Sequence, residues 1–282
     1  MQLNDAFSYR DDKLFVESVS VDTLAARFGT PLYVYSEHEL TDRFLQYRHA
    51  LTAHAHLVCY AVKANSNLSI LKLLHELGAG FDIVSGGELA RVIAAGADPK
   101  RVVFSGVGKS RVEIAQALQA GIGCFNIESV GEFERIESIA SALGKVAPIA
   151  CRVNPNVDPK THPYISTGLE KNKFGLSIEA ALEIYRRAAQ SPVCNVQGIS
   201  CHIGSQLIDY APILEALDKL LRVVDTLSEM GITLTHIDIG GGLGIRYHEE
   251  SAPTIDTYCR ALLEKFEGRP EALWLEPGRS IV

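Results

Sequence analysis

From residue 57 onward, short β-branched apolar runs alternate with longer segments whose apolar residues recur every three or four positions. The runs cover 57–63, 80–85, 101–106, 124–129, 146–155, 193–205, 234–242 and 273–282. Between them, 68–78, 87–96, 110–121, 130–144, 178–190, 211–231 and 254–268 carry the helical period, as in Leu214, Leu217, Leu221, Val224 and Leu227. Several helical segments stop at a glycine (Gly78, Gly96, Gly121, Gly144, Gly231), which suits a left-handed cap. The runs read as nearly continuous rather than alternating, the pattern of parallel strands covered by helices. A further helix over 36–51 precedes the first run. Eight strands and eight helices predict an α/β fold, a TIM-type (β/α)8 barrel over 36–282. A doubly wound open sheet would need a glycine fingerprint after its first strand, and AVKANSN has no glycine.

Residues 1–35 lie outside this beat. DDKLFVESVS reads as a strand, VDTLAARFG as a short helix and TPLYVYS as a second strand leading into the barrel. These elements need another surface to pack on, and the last strand reaches Val282 with no closing helix. The chain is therefore expected to be the front part of a longer protein.

Composition narrows the class. Hydrophobic residues at 47% and charged residues at 22% fill a sizeable core and exclude disorder, collagen and coiled coil. Lys+Arg 27 against Asp+Glu 34 gives a charge of -7, which speaks against nucleic-acid binding. No apolar run is long enough for a bilayer, so no membrane partner is expected, and the N-terminus lacks a signal-peptide layout. A cytoplasmic location is expected. Six scattered cysteines form no C-x-x-C pair and read as buried apolar residues in a reducing compartment. Nothing clusters as a zinc site, so no metal is expected.

In such barrels the reacting groups gather at the C-terminal ends of the strands. Unusual polar residues fall there: Lys63, Asp82, Arg152 with Asn154, His202 with Ser205, Gly240-Gly241-Gly242, and Glu276-Pro277-Gly278-Arg279. A lone lysine at a strand end usually snorkels to solvent, but a partly desolvated one with a lowered pKa can attack an aldehyde. DIGGGLG is either a plain turn or a set of backbone N–H groups that cradle a phosphate. SGVGKSR fails as a nucleotide loop, because Val103 and Arg111 stand where glycines are needed. His202 is by default a satisfied core histidine, raised toward a site role by its position. Glu276, directly after Trp274 and Leu275, needs a cation, either a protonated pyridine nitrogen or Arg279. A lysine for an aldehyde, glycines for a phosphate and a carboxylate for a ring nitrogen specify pyridoxal 5'-phosphate (PLP).

YAVKAN (60–65), FDIVSGGE (81–88), CHIGSQ (201–206), DIGGGLG (238–244) and EPGR (276–279) resemble the barrel-fold PLP decarboxylases, alongside alanine racemases and ornithine decarboxylases. RVNPNVDPKTHPYISTGLEKNKFG (152–175) resembles the diaminopimelate decarboxylase family specifically, and the likeness runs from about residue 10 to the end. The resemblance implies that Lys63 holds PLP as a Schiff base, His202 stacks on its ring and Glu276 pairs with the pyridine nitrogen. It implies that Ser205, Gly240, Gly241, Gly242, Pro277, Gly278 and Arg279 surround the phosphate. Asp82 and Arg152 would lie near Lys63 and the ring, and Arg279 could also receive a substrate carboxylate. The implied reaction is decarboxylation of meso-2,6-diaminopimelate to L-lysine, the last step of lysine biosynthesis, by a homodimer with shared active sites. Residues 1–35 would then belong to a β domain whose C-terminal part, with a Cys-centred motif and a late Tyr, would follow Val282. The chain ending at Val282 is expected to be inactive alone. Alternatives are a decarboxylase of another basic amino acid, a non-catalytic PLP-binding barrel, and a metal- or phosphate-dependent barrel lyase. The loop 156–177 is long enough for Lys171, Asn172 and Lys173 either to reach over the barrel mouth or to form a solvated surface.

Overall fold

The computed structural model describes residues 6–158 and 174–282. Lys171, Asn172 and Lys173 lie outside the described residues. At the N-terminus, β1 (Phe7–Arg10), β2 (Lys13–Val16) and β3 (Val19–Ser20) form an antiparallel sheet in chain order. Ser20 caps α1 (Val21–Phe28), which buries no residue. The strand expected over TPLYVYS is absent: residues 30–36 pair with no described neighbour, and Tyr33 is 88% exposed. A strand persists only where an adjacent chain takes its backbone hydrogen bonds, and none does here.

The barrel strands are β4 (His56–Ala61), β5 (Gly80–Ile83), β6 (Val102–Phe104), β7 (Cys124–Ile127), β8 (Ala147–Arg152), β9 (Cys194–Ser200), β10 (His236–Asp238) and β11 (Ala272–Leu275). They pair in parallel, each with the next, and β11 closes on β4. The helices are α2 (Glu37–Ala50), α3 (Leu68–Glu76), α4 (Gly86–Ala94), α5 (Arg111–Ala120), α6 (Val130–Leu143), α7 (Ile178–Gln190), α8 (Ala211–Glu229) and α9 (Ile255–Lys265). The predicted (β/α)8 barrel is thus the observed fold. Every barrel helix but α8 opens on a Ser, Asn or Thr whose side chain accepts a backbone N–H of the first turn. At α2 the cap Ser36 also donates to Glu17 at 2.6 Å, tying the N-terminal sheet to the barrel.

Two expectations are corrected. The strands end earlier than the apolar runs do, because pairing stops where the chain flares at the barrel mouth; residues 276–282 are loop and turn. The strands also alternate. Val58, Tyr60, Phe81, Phe104, Phe125 and Ile149 belong to the large core beneath the helices, whereas Leu57, Cys59, Val103 and Trp274 form a small separate cluster. The two-residue period therefore sends one set of side chains outward beneath the helices and the alternate set into the barrel, which apolar residues on both faces had masked. Five of the six cysteines are buried, as expected.

Low in the barrel the His236 ring stacks on Trp274 with centroids 3.6 Å apart. A Cβ at Gly198, one strand over, would lie 2.3 Å from His236 Nε2. Gly198→Ala should therefore destabilise the fold by about 1–3 kcal/mol, the usual cost of overpacking a filled core. Urea unfolding measures this; unchanged stability would mean that the stacked pair can shift aside.

Candidate active site

The inward period of each strand delivers its polar residue to the barrel mouth. Lys63 sits past the end of β4 in a 3-10 turn, Val62–Ala64, rather than on the strand. Its Nζ donates to Asp82 Oδ2 at 2.5 Å, and Asp82 is fully buried at the end of β5. Burial pulls the lysine pKa down, but the Asp82 and Glu276 carboxylates outweigh it, so the pKa is raised. The lowered value expected from the sequence is thereby corrected: the ammonium has a partner in place, which desolvation alone does not supply.

Arg152, the last residue of β8, bonds Glu128 Oε1 at 3.0 Å and the His202 carbonyl at 3.4 Å. Its charge is thus committed within the protein. His202 lies just beyond β9, and its Nδ1 accepts the Gly241 N–H at 3.3 Å. Burial, then the charges of Arg152 and Lys63, push its pKa down to about 3, so the ring is neutral. Glu276 follows β11. Its Oε1 accepts from Ser105 Oγ and Asn126 Nδ2, each at 3.3 Å. Burial and the nearby Asp238 and Asp82 carboxylates hold its pKa well above the usual carboxyl range. Arg279, the alternative partner for Glu276, instead packs over the Tyr247 ring and donates to its hydroxyl.

A cavity of about 600 Å³ opens among these groups. Lys63, Arg152, His202, Ser205, Gly241, Gly242, Glu276, Gly278 and Arg279 line it. Asp82, Gly240 and Pro277 do not, but each bonds a residue that does or is its chain neighbour. Asn154 turns toward the loop, where its Oδ1 accepts the Asn156 N–H. Among the described residues the N–H groups of Gly242, Gly278 and Arg279 meet no protein acceptor. A Cβ at Gly241 would lie 2.2 Å from the Glu276 carbonyl oxygen, so only glycine lets the two loops approach. Free N–H donors for a phosphate, an amine beside a buried carboxylate and a second, half-buried carboxyl without a bonded cation fit PLP. No group of three or more metal-ligating side chains occurs among the described residues.

Ser105, Asn126, Glu128, Ser200 and Asp238 also reach the mouth or its floor and escaped the sequence reading. For Ser105, Asn126 and Ser200 the signal was available: each is a polar residue interrupting an apolar run, the same feature that singled out Asp82. The buried Lys109–Glu132 pair, 2.6 Å long, braces this rim, with Glu132 Oε2 accepting the Glu128 N–H.

Residues 37–282 match the family model described as pyridoxal-dependent decarboxylase, pyridoxal binding domain. The chain belongs to the pyridoxal-dependent decarboxylase family. Its cofactor is pyridoxal phosphate. Among its relatives, the diaminopimelate decarboxylase of Pseudomonas aeruginosa is 54% identical over 278 residues, covering 99% of this chain and 67% of that protein. The enzyme of the same name from Neisseria meningitidis serogroup B is 55% identical, covering 95% and 65%. The crystal structure of Helicobacter pylori diaminopimelate decarboxylase complexed with L-lysine superposes with a TM-score of 0.90 at 46% identity, covering 93% and 66%. The chain thus spans about two thirds of the length of the relatives it matches. No described helix is long and apolar enough to cross a membrane.

Proposed function

We propose that this chain is the cofactor-binding barrel of an enzyme that decarboxylates meso-2,6-diaminopimelate to L-lysine. One observation carries the reading: the glycine loop, Glu276 and Lys63 follow β10, β11 and β4, three consecutive staves of the barrel. Donors for a phosphate, a carboxyl for a ring nitrogen and an amine for an aldehyde are thereby brought to one cavity. Bound there, PLP supplies an electron sink for the pair of electrons left when an amino-acid carboxylate departs.

The chain's own residues have separable tasks. Lys63 would hold the aldehyde carbon, and Asp82 keeps its nitrogen in place. Gly241, Gly242, Gly278 and Ser205 would surround the phosphate, with Gly240 and Pro277 shaping the two loops. His202, neutral and fixed through Nδ1, would lay a flat apolar face against the ring. Glu276 would face the ring nitrogen. Arg152 orients His202 and Glu128 and is not available to a substrate carboxylate. Arg279, exposed at the rim against Tyr247, would be. A homodimer with shared active sites and a cytoplasmic location belong to the same reading, which for them rests on the resemblance.

The test is lysine release by the full-length enzyme with PLP. Turnover of meso-diaminopimelate should exceed that of L-ornithine, L-arginine and L-lysine by roughly 10⁴-fold, the scale on which a built polar site rejects an analogue lacking its partner group. Equal or faster turnover of a monocarboxylate would assign the chain to a different basic amino acid.

A further inference from the structure

Asp238 ends β10 and is fully buried, yet no step above uses it. It packs against Glu276, and one glycine, Gly240, clamps both. The Gly240 N–H donates to Asp238 Oδ1 at 2.8 Å, while the Gly240 carbonyl accepts the Glu276 N–H at 2.7 Å. The two side chains are in hydrogen-bonding contact. The Asn126 side chain also reaches Asp238, yet Asp238 Oδ2 is buried and no donor among the described residues bonds it in good geometry. Glu276 receives only the neutral Ser105 hydroxyl and Asn126 amide, at 3.3 Å each.

The cations nearby are already engaged. Lys63 is bonded to Asp82, Arg152 to Glu128 and Lys109 to Glu132. The other titratable groups near the pair are the thiols of Cys59, Cys124 and Cys201 and the phenol of Tyr258, all raised by burial, and the neutral imidazole of His202. Two carboxylates in contact, Asp238 fully buried and Glu276 half-buried, repel strongly without a cation between them, and Asp238 Oδ2 has no donor. A single proton between them removes the repulsion and supplies the donor missing at Asp238 Oδ2.

We infer that Asp238 and Glu276 form a carboxyl pair that holds one shared proton, with Asp238 acting as the positioning residue that keeps this proton beside the ring site. Burial raises the Asp238 pKa to about 6 and that of Glu276 further, in keeping with a proton retained at neutral pH. The consequence for the cofactor rests on the proposed function. The pair can deliver its proton to the ring nitrogen: the O–H bond breaks, an N–H bond forms, and two carboxylates remain beside one new cation. The net charge of the site does not change, and no proton need be drawn from solvent into a closed barrel.

Infrared spectroscopy on the full-length, cofactor-free protein at neutral pH tests the pair itself. A protonated-carboxyl stretch, identified by its shift in deuterated water, should be present in the wild type. It should be lost in Asp238→Asn and also in Glu276→Gln, since either change dissolves the pair. A band that survives Asp238→Asn unchanged would overturn the inference. The wild type gives a second reading that needs no variant: adding PLP should erase the band, and a band persisting in the PLP-bound protein would overturn it equally. Failure of PLP to bind would count against the proposed function, while the cofactor-free spectra would still decide the pair.

Discussion

Replacing Lys63 with alanine should lower kcat for lysine release by at least roughly 10⁴-fold, the scale of losing a positioned reacting group. The amine is the one primary amine lining the cavity among the described residues, so no neighbour can form the same bond to the aldehyde. Alanine also strips Asp82, a fully buried carboxylate, of its cation, so some stability should be lost along with activity. Lys63→Arg separates the two effects. Arginine keeps a charge beside Asp82 but offers no amine, so it should be as inactive as alanine and more stable to heat. The raised lysine pKa also fixes a pH dependence. Only the neutral amine attacks an aldehyde, so the rate of PLP capture should climb as pH rises toward that pKa. Asp82→Asn removes the largest raising influence, leaving burial to dominate, and should move the climb to lower pH. A capture rate independent of pH in both proteins would contradict the ion pair's role.

Glu276→Gln should slow turnover more than it weakens PLP binding. The glutamine amide cannot hold a cationic ring nitrogen as a carboxylate does. Losing a charge-assisted hydrogen bond of about 1.5–3 kcal/mol corresponds to a roughly 10–150-fold drop in kcat. Affinity should suffer less, because the phosphate cradle around Gly241 and Gly242 and the bond through Lys63 are untouched. An unchanged kcat at saturating PLP would remove Glu276 from the mechanism.

The barrel was legible because each helical segment carries its own punctuation. Ser36, Ser110 and Ser129 sit where their helices begin, and Gly121 and Gly144 where two of them end. The strand tips were overdrawn because apolar residues such as Val62 and Ile239 continue past the last paired residue. Lys63, Asp82, Arg152, His202 and Glu276 stood out as polar interruptions of apolar runs, and the fold gathers them. Asp238 was hidden by its glycine neighbours, which read first as a phosphate turn. Lys109, Glu128 and Glu132 were hidden for a different reason. Their contacts span about one βα unit, as in Lys109 to Glu132 or Glu128 to Arg152, and exist only once neighbouring staves are side by side. The segment 30–36 shows the converse: high β-propensity in TPLYVYS makes no strand without a neighbour to pair with.

The most direct measurement is where PLP attaches. The full-length protein is saturated with PLP, reduced with borohydride, digested and mapped by mass spectrometry. The account predicts a pyridoxyl group on Lys63 and on no other lysine, with the label lost in Lys63→Arg. Labelling at Lys109, Lys171 or Lys173 instead, or labelling that persists in Lys63→Arg, would contradict it.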